Sequence, residues 1–319
     1  MLHRIFLPLA INLNKVTDLA RTAIALPETG VELRLLSSPH NIIVEGFVEG
    51  DGTFLFKYPR EPQFGDLIRK EGENLANLQT LGIAGASKAG ISVPKLLGSG
   101  EVFGRPYILC QHMPGDTNDE RFNTPDVVNS MVDWLTLMAK KTQRDGTIDH
   151  AYLENLVDAA VQQSETPKDL AAAISQLDWS CLIGAPFVYT HGDLSYQNIV
   201  IDGDQVAVVD WAIGEEFGLP GFDVIDYLLY GFYRQRQNYL ESIDLLLFQR
   251  DGRGARQALL KHCTALDFDP ESIGHLVAAS LLKRIQILAG FPTGKAAKKT
   301  TELYSALQAH DWKELRFSS

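Results

Sequence analysis

Apolar and polar positions alternate or run apolar in three successive segments, VELRLLS (31–37), NIIVEGFV (41–48) and TFLFKYP (53–59), which predicts strands, with Gly50-Asp51-Gly52 as the turn between the last two. Ahead of them, NKVTDLARTAIAL (14–26) spaces its apolar residues as a helix does and is closed by Pro27 and Gly30. After them, FGDLIRKEGENLANLQTLG (64–82) sets Leu67, Glu71, Leu75 and Leu78 at helical intervals. ISVPKLL (91–97) and RPYILCQ (105–111) supply two more strands around a glycine-containing turn. The pattern predicts a small five-stranded sheet with one helix inserted after the third strand.

From Met113-Pro114-Gly115 onward the period becomes helical. TPDVVNSMVDWLTLMAKK (124–141) places Val127, Val128, Met131, Trp134, Leu135 and Met138 on one face. Further helices are expected over 151–164, 168–177, 223–235, 238–250, 254–265, 270–289 and 295–309. The exception is 187–210, where FVYT, IVID and QVAVVD bracket the polar HGDLSYQN as short strands around a loop. The chain is therefore expected to be α+β. Residues 1–112 would form an N-lobe of one helix and the sheet, and residues 113–319 a larger, mainly helical C-lobe with an embedded hairpin.

Composition narrows the class. With 45% apolar and 22% charged residues over 319 positions the chain has ordinary globular composition, which excludes a disordered or collagen-like protein. Cys110, Cys181 and Cys263 are odd in number and contain no CxxC, so neither a disulfide framework nor a cysteine-based zinc site is expected. No apolar run approaches the ~20 residues of a membrane helix. The opening MLHRIFLPLAINLNK is interrupted by Pro8, Asn12, Asn14 and Lys15, which favours a packed segment over a signal peptide and a cytoplasmic location. The net charge of −11 lies wholly after residue 113, where 18 Lys+Arg face 29 Asp+Glu. Between Lys168 and Arg234 there is no Lys or Arg but ten Asp or Glu residues, which disfavours a nucleic-acid partner and suits a divalent metal or a cationic ligand.

Inside that acidic stretch lies the strongest chemical signal: His191-Gly192-Asp193-Leu194-Ser195-Tyr196-Gln197-Asn198, then Val208-Val209-Asp210-Trp211. A strand leads into the first block and a hairpin into the second. Asp193 can accept a proton from a hydroxyl, while Asn198 and Asp210 offer one neutral and one anionic oxygen. Hard oxygen ligands of this kind suit Mg²⁺, which takes few protein ligands and completes its shell with phosphate oxygens. Such a set equips a site for phosphoryl transfer.

These blocks resemble the aminoglycoside phosphotransferase / choline kinase-like family of the protein-kinase-like fold. HGDxxxxN matches, and the Asp-Trp block follows Asp193 by 17 residues. Further matches are Phe56-Lys57, Glu71 with Leu75 and Leu78, Val93-Pro94, Tyr107-Ile108-Leu109 leading to Met113-Pro114-Gly115, and Phe222-Asp223. The resemblance spans about residues 31–235. It implies a two-lobed, ATP- and Mg²⁺-dependent kinase acting on a small molecule's hydroxyl. Lys57 would hold the α/β-phosphates and pair with Glu71, and Gln111, His112 and Met113 would line the adenine pocket. Asp193 would be the catalytic base, Asn198 and Asp210 the metal ligands, and His191 and Asp223 structural supports.

Departures are equally specific. Gly192 stands where protein kinases carry Arg, and only 12 residues separate Asp210 from Asp223 with no APE motif after them, so a small-molecule kinase fits better than a protein kinase. The loop expected to cover the phosphates, Ser37-Ser38-Pro39-His40-Asn41, has no glycine. There Ser38 and Asn41 would contact phosphate through hydroxyl and backbone N–H groups. The same loop favours the alternative of a nucleotide-binding pseudokinase scaffold. Several residues have plainer alternatives. Lys57 reads also as a solvent-facing strand residue, Glu73 rivals Glu71, and His112 reads also as a core histidine. Asp202 and Asp204 read as turn residues beside Gly203. Glu215 and Glu216 would recruit a cationic acceptor or simply be solvated. Tyr227, Tyr230, Phe232 and Tyr233 are core at helical spacing or an aromatic cage for a quaternary amine. The acidity around the loop leans toward a cationic acceptor, such as an aminoglycoside-like polyamine or an amino alcohol, with a sugar as the neutral choice.

Overall fold

The computed structural model describes residues 13–38, 40–83, 85–86, 90–117, 119–162, 171–172, 174, 177–291 and 294–312. The segment before residue 13, Pro39 of the phosphate-covering loop, and most of the helix expected over 168–177 lie outside the described residues. The chain divides into two compact units, one of residues 1–85, 93–114 and 210–212, the other of 86–92, 115–209 and 213–319.

The first unit is built on an antiparallel five-stranded sheet in the order Val31–Ser37, Asn41–Val48, Asp51–Pro59, Arg105–Gln111, Leu96–Val102. Alternation in the second strand buries Ile42 and Val44 on one face. On that face they meet Phe54, Phe56, Tyr58 and Leu109, and the Leu13–Ala23 helix closes the cluster with Val16 and Ala20. Two expectations shift. Val48 pairs with Asp51, and Glu49 and Gly50 both have positive φ (54° and 89°), so the turn is the two-residue Glu49-Gly50 rather than Gly50-Asp51-Gly52. Two left-handed residues match the twist of the flanking strands. The single strand expected over 91–97 is two, Ile91–Val93 and Leu96–Val102, separated at Pro94. Proline has no N–H to continue a ladder, and the two pieces join different sheets.

The helix inserted after the third strand runs Gly65–Thr80 and buries Ile68, Glu71, Leu75 and Leu78 along one stripe. Gly82, at φ 65°, ends it in the left-handed conformation common after helix C-termini. Glu73 is exposed, whereas Glu71 is buried in the stripe.

The second unit is mainly helical. Helices span Pro125–Lys141, His150–Val161, Phe222–Arg236, Tyr239–Leu247, Arg253–Ala265, Ile273–Ala289 and Gly294–Ala309. Ile273–Ala289 is apolar nearly all round and buries all but a few of its residues, as a central core helix must. The embedded hairpin is Ile199–Asp202 against Gln205–Val208, and Val206 and Ala207 also pair in parallel with Ile91 and Ser92. Gly203-Asp204 forms its turn, between the paired Asp202 and Gln205. A strand not anticipated from sequence, Glu215–Gly218, pairs with Val188–Thr190.

Candidate functional site

The sequence-predicted residues fall into two groups, each held within its own unit. In the first unit, Lys57 leaves the strand on the face opposite Phe56 and Tyr58 and is itself buried, 8% exposed. Its Nζ donates to Glu71 Oε1 at 2.6 Å and to Asp210 Oδ1 at 3.2 Å. Burial works against the ammonium, yet the Asp210 and Glu71 carboxylates outweigh it and hold its pKa well above the usual lysine range. Burial pushes the Glu71 carboxyl up while Lys57 pulls it back. A 2.6 Å contact is that of a charge-assisted, ionised pair. Asp210 adopts φ 66°, a conformation few non-glycine residues take, and its side chain remains 46% exposed. Asn74, one turn after Glu71, anchors the same segment by donating to Trp211 O at 2.6 Å.

The remaining residues of this unit stand apart from that cluster. Ser38 Oγ accepts the backbone N–H groups of His40 (3.4 Å) and Asn41 (3.3 Å), closing the glycine-free turn on itself. Asn41 Oδ1 and Gln111 Oε1 are buried without a hydrogen-bond partner among the described residues. His112 turns its Nε2 to Glu45 Oε1 at 3.3 Å and packs beside Phe47, 5.5 Å between centroids, so its ring is tied into the sheet. Met113 is half-buried.

In the second unit the His191–Ser195 loop is held almost entirely by its backbone N–H groups. Asp223 Oδ2 accepts from His191 N (2.7 Å) and Oδ1 from Gly192 N (3.1 Å), while Asp226 Oδ2 accepts from Leu194 N (2.9 Å). Asp193 N donates to His191 Nδ1 at 3.2 Å. That leaves Nε2 as the protonated nitrogen, donating to Val209 O at 2.9 Å, a tautomer assigned from the network. Asp223 and Asp226 are three apart on the Phe222–Arg236 helix and so share one face, which is how a single helix grips three loop amides. Gly192 takes φ 86°, and a Cβ there would lie 2.8 Å from Ile213 O, so an arginine as in protein kinases does not fit this backbone.

Asp193 is thus presented by a loop with its amides satisfied. Its Oδ1 accepts from Arg284 Nη1 (3.1 Å) and Tyr230 OH (3.4 Å), and its Oδ2 from Asn198 Nδ2 (3.2 Å). Asn198 Nδ2 also donates to Asp193 O at 2.8 Å. With the amide nitrogen spent on Asp193, the amide oxygen is the end of Asn198 that can coordinate a cation. Asn198, in the second unit, and Asp210, in the first, each offer a hard oxygen of the kind that Mg²⁺ takes.

Sequence reasoning missed three partners of Asp193's surroundings: Asp226, Tyr230 in its hydroxyl role, and Arg284. Arg284 is 3% exposed; it donates from Nε to Asp226 Oδ1 at 3.0 Å, sets Nη2 against Asp226 Oδ2, and stacks 5.4 Å over Phe222. The i, i+3 spacing from Asp223 could have found Asp226. Arg284 lies past the region of resemblance, and an arginine in the apolar run IGHLVAASLLKRIQILA was its one signal. Glu215 and Glu216 are engaged within the unit, by Lys283 at 3.0 Å and Arg144 at 3.5 Å.

Burial raises the Asp223 carboxyl to about 7 against the pull of the His191 and Gly192 amides, with the Asp226 charge adding to the rise and Arg284 opposing it. A carboxyl whose folded value exceeds its unfolded one contributes stability that is present below the unfolded value and lost as pH climbs through the folded one. Between those limits one such group costs roughly 1.4 kcal/mol per pH unit. Thermal melts from pH 4 to 8 should therefore show a falling midpoint in the wild type and a flatter profile in Asp223→Asn. Superimposable profiles would remove Asp223 as the titrating group.

The model of the phosphotransferase enzyme family matches residues 47–259. No curated protein sequence matches the chain. Among solved structures, a protein assigned as a fructosamine-3-kinase from Thermobifida fusca is 18% identical, with 93% of this chain and 99% of that one covered and a TM-score of 0.60. Choline kinase from Cryptosporidium parvum is 12% identical over 93% and 95%, TM-score 0.55. An amicoumacin kinase in complex with AMP-PNP, Ca²⁺ and Ami is 13% identical over 93% of each chain, TM-score 0.53. At these identities the likeness is one of fold.

Proposed function

Because the chain belongs to the phosphotransferase enzyme family, we propose that it transfers the γ-phosphate of ATP, with Mg²⁺, to a hydroxyl of a small-molecule acceptor. The observation that carries this is the held carboxylate of Asp193: a loop with five successive amides satisfied, and a carboxylate oriented by Arg284, Tyr230 and Asn198. In the proposal, residues 1–112 form the nucleotide-binding half and residues 113–319 carry the catalytic loop and acceptor site. Lys57, steadied by Glu71, binds the α/β-phosphates; Ser38 and Asn41 belong to the phosphate-covering loop; Gln111, His112 and Met113 line the adenine pocket. Asn198 and Asp210 hold the metal, which when bound neutralises charge on the phosphate oxygens. Asp193 orients the acceptor hydroxyl and takes its proton as the oxygen attacks. His191 and Asp223 position the loop without touching reacting atoms.

A second reading, a nucleotide-binding scaffold without turnover, draws on Ser38, whose hydroxyl already engages two of the amides a phosphate would use. ADP release with Mg-ATP and a panel of sugars, polyols and amino alcohols separates the two. Acceptor-dependent ADP is expected; a thermal shift with Mg–AMP-PNP but no turnover on any acceptor favours the scaffold, and neither signal would reject both.

A further inference from the structure

Tyr230, Tyr233 and Tyr239 form a ring cluster beside the loop. Tyr233 and Tyr239 lie 4.5 Å apart between centroids, and Tyr230 is 6.1 Å from each. An aromatic cluster near a catalytic carboxylate suggests a cage for an ammonium group, but here the chain supplies the cations itself. Lys299, on the Gly294–Ala309 helix, sets its Nζ 5.3, 5.2 and 6.0 Å from the centroids of Tyr230, Tyr233 and Tyr239. Arg284 lies 5.4 Å over Tyr230 as well. Ring faces attract one cation each by their quadrupole. An incoming ammonium would meet two like charges at these rings.

The two resident cations differ in what they have left to offer. Arg284 is buried and spent on Asp226 and Asp193. Lys299 is only part-buried, and among the described residues no hydrogen-bond acceptor and no ion-pair carboxylate engages it. The nearest acid on its own helix, Glu302, accepts from Tyr239 N at 2.9 Å and pairs with Lys298 at 3.6 Å. Burial lowers the Lys299 pKa and the Arg284 charge adds to the fall; the Asp193, Asp226 and Glu302 carboxylates pull against it without overcoming it, so the ammonium is still held at a cost that an arriving anion would offset. Tyr230 links this ammonium to the proposed base, since its ring carries Lys299 while its hydroxyl donates to Asp193 Oδ1 at 3.4 Å.

We propose that Lys299 forms an anion-receiving subsite beside Asp193, and that the acceptor is a small alcohol bearing a carboxylate or phosphate group rather than an ammonium. This rests on Asp193 being the base that meets the acceptor hydroxyl. Four probes of one size class separate the chemistries: glycerol, glycerate, glycerol 3-phosphate and choline, each with Mg-ATP. An anionic probe should exceed glycerol and choline in kcat/KM, chiefly through KM, by about tenfold to a hundredfold, the range of one charge-assisted contact. Which of the two anionic probes leads distinguishes carboxylate from phosphate. Lys299→Met should erase the preference, Lys299→Arg keep it, and Lys299→Glu turn it toward choline. A wild type that prefers choline or glycerol, or an anion preference that survives Lys299→Met, overturns the subsite. If no probe is turned over, the thermal midpoint with Mg–AMP-PNP decides: a rise with an anionic probe that Lys299→Met abolishes supports the subsite, and its absence overturns it. Turnover that survives Asp193→Asn while charge preference still follows Lys299 would defeat the base assignment and leave the subsite standing.

Discussion

Asp193→Asn is expected to lower kcat by about 10²–10⁴-fold, the usual range for a lost general base, with the nucleotide still bound. The substitution is close to isosteric. An Asn side chain can still take the Arg284 contact through its oxygen, but it cannot accept the acceptor's proton. Loop geometry should survive, because Asp223, Asp226 and His191 hold it through backbone amides and none depends on the Asp193 carboxylate. Stabilisation by Mg–AMP-PNP should accordingly match the wild type, since the residues proposed to hold phosphates and adenine lie elsewhere in the chain. Steady-state kinetics beside thermal melts checks both halves. A variant that has lost its nucleotide-induced shift would mean the residue acts through binding or folding, not through proton transfer.

The largest stability effect is expected at Arg284. Its guanidinium is buried between Asp226 and Asp193 and stacks on Phe222 and Tyr230. Arg284→Met leaves Asp226 as an unpaired carboxylate inside the helical unit. Breaking a buried pair from one side costs roughly 3–5 kcal/mol, most of it the penalty on the charge left behind. For a unit of this size that corresponds to a thermal midpoint lower by on the order of 10 °C. The double variant Arg284→Met with Asp226→Asn should recover much of the loss. An Asn at 226 can still accept from Leu194 N and carries no charge to strand. The two substitutions would then be far from additive, as contacting residues are. Independent, additive losses would show that the pair contributes packing and little electrostatics.

What was legible in the sequence followed from periodicity. The antiparallel strands announced themselves by alternation, and the helix with Glu71 by the register of Leu75 and Leu78. Glu71 over Glu73 is the same point in miniature: the acid that keeps step with the leucines is the one buried against Lys57. Where local signals were weak, the structure departed from the expectation. Pro94 splits a strand because a missing N–H ends one ladder and frees the chain to join another. Glu215–Gly218, EEFG, has no apolar alternation, and only its partner Val188–Thr190 makes it a strand. The loop motif was readable because its residue types are set by chemistry. Its supports were less so: Arg284 lies 91 positions beyond Asp193, and nothing local marks a charge whose partners come from tertiary packing.

In the proposed function Asp193, Asn198 and Asp210 serve one terminal phosphate. A crystal structure with Mg²⁺ and AMP-PNP bound decides this. The metal is expected on Asn198 Oδ1 and the Asp210 carboxylate, with the γ-phosphate facing Asp193 and Lys57 on the α/β-phosphates. A nucleotide bound without Lys57, or a metal that neither Asn198 nor Asp210 ligates, would overturn these roles.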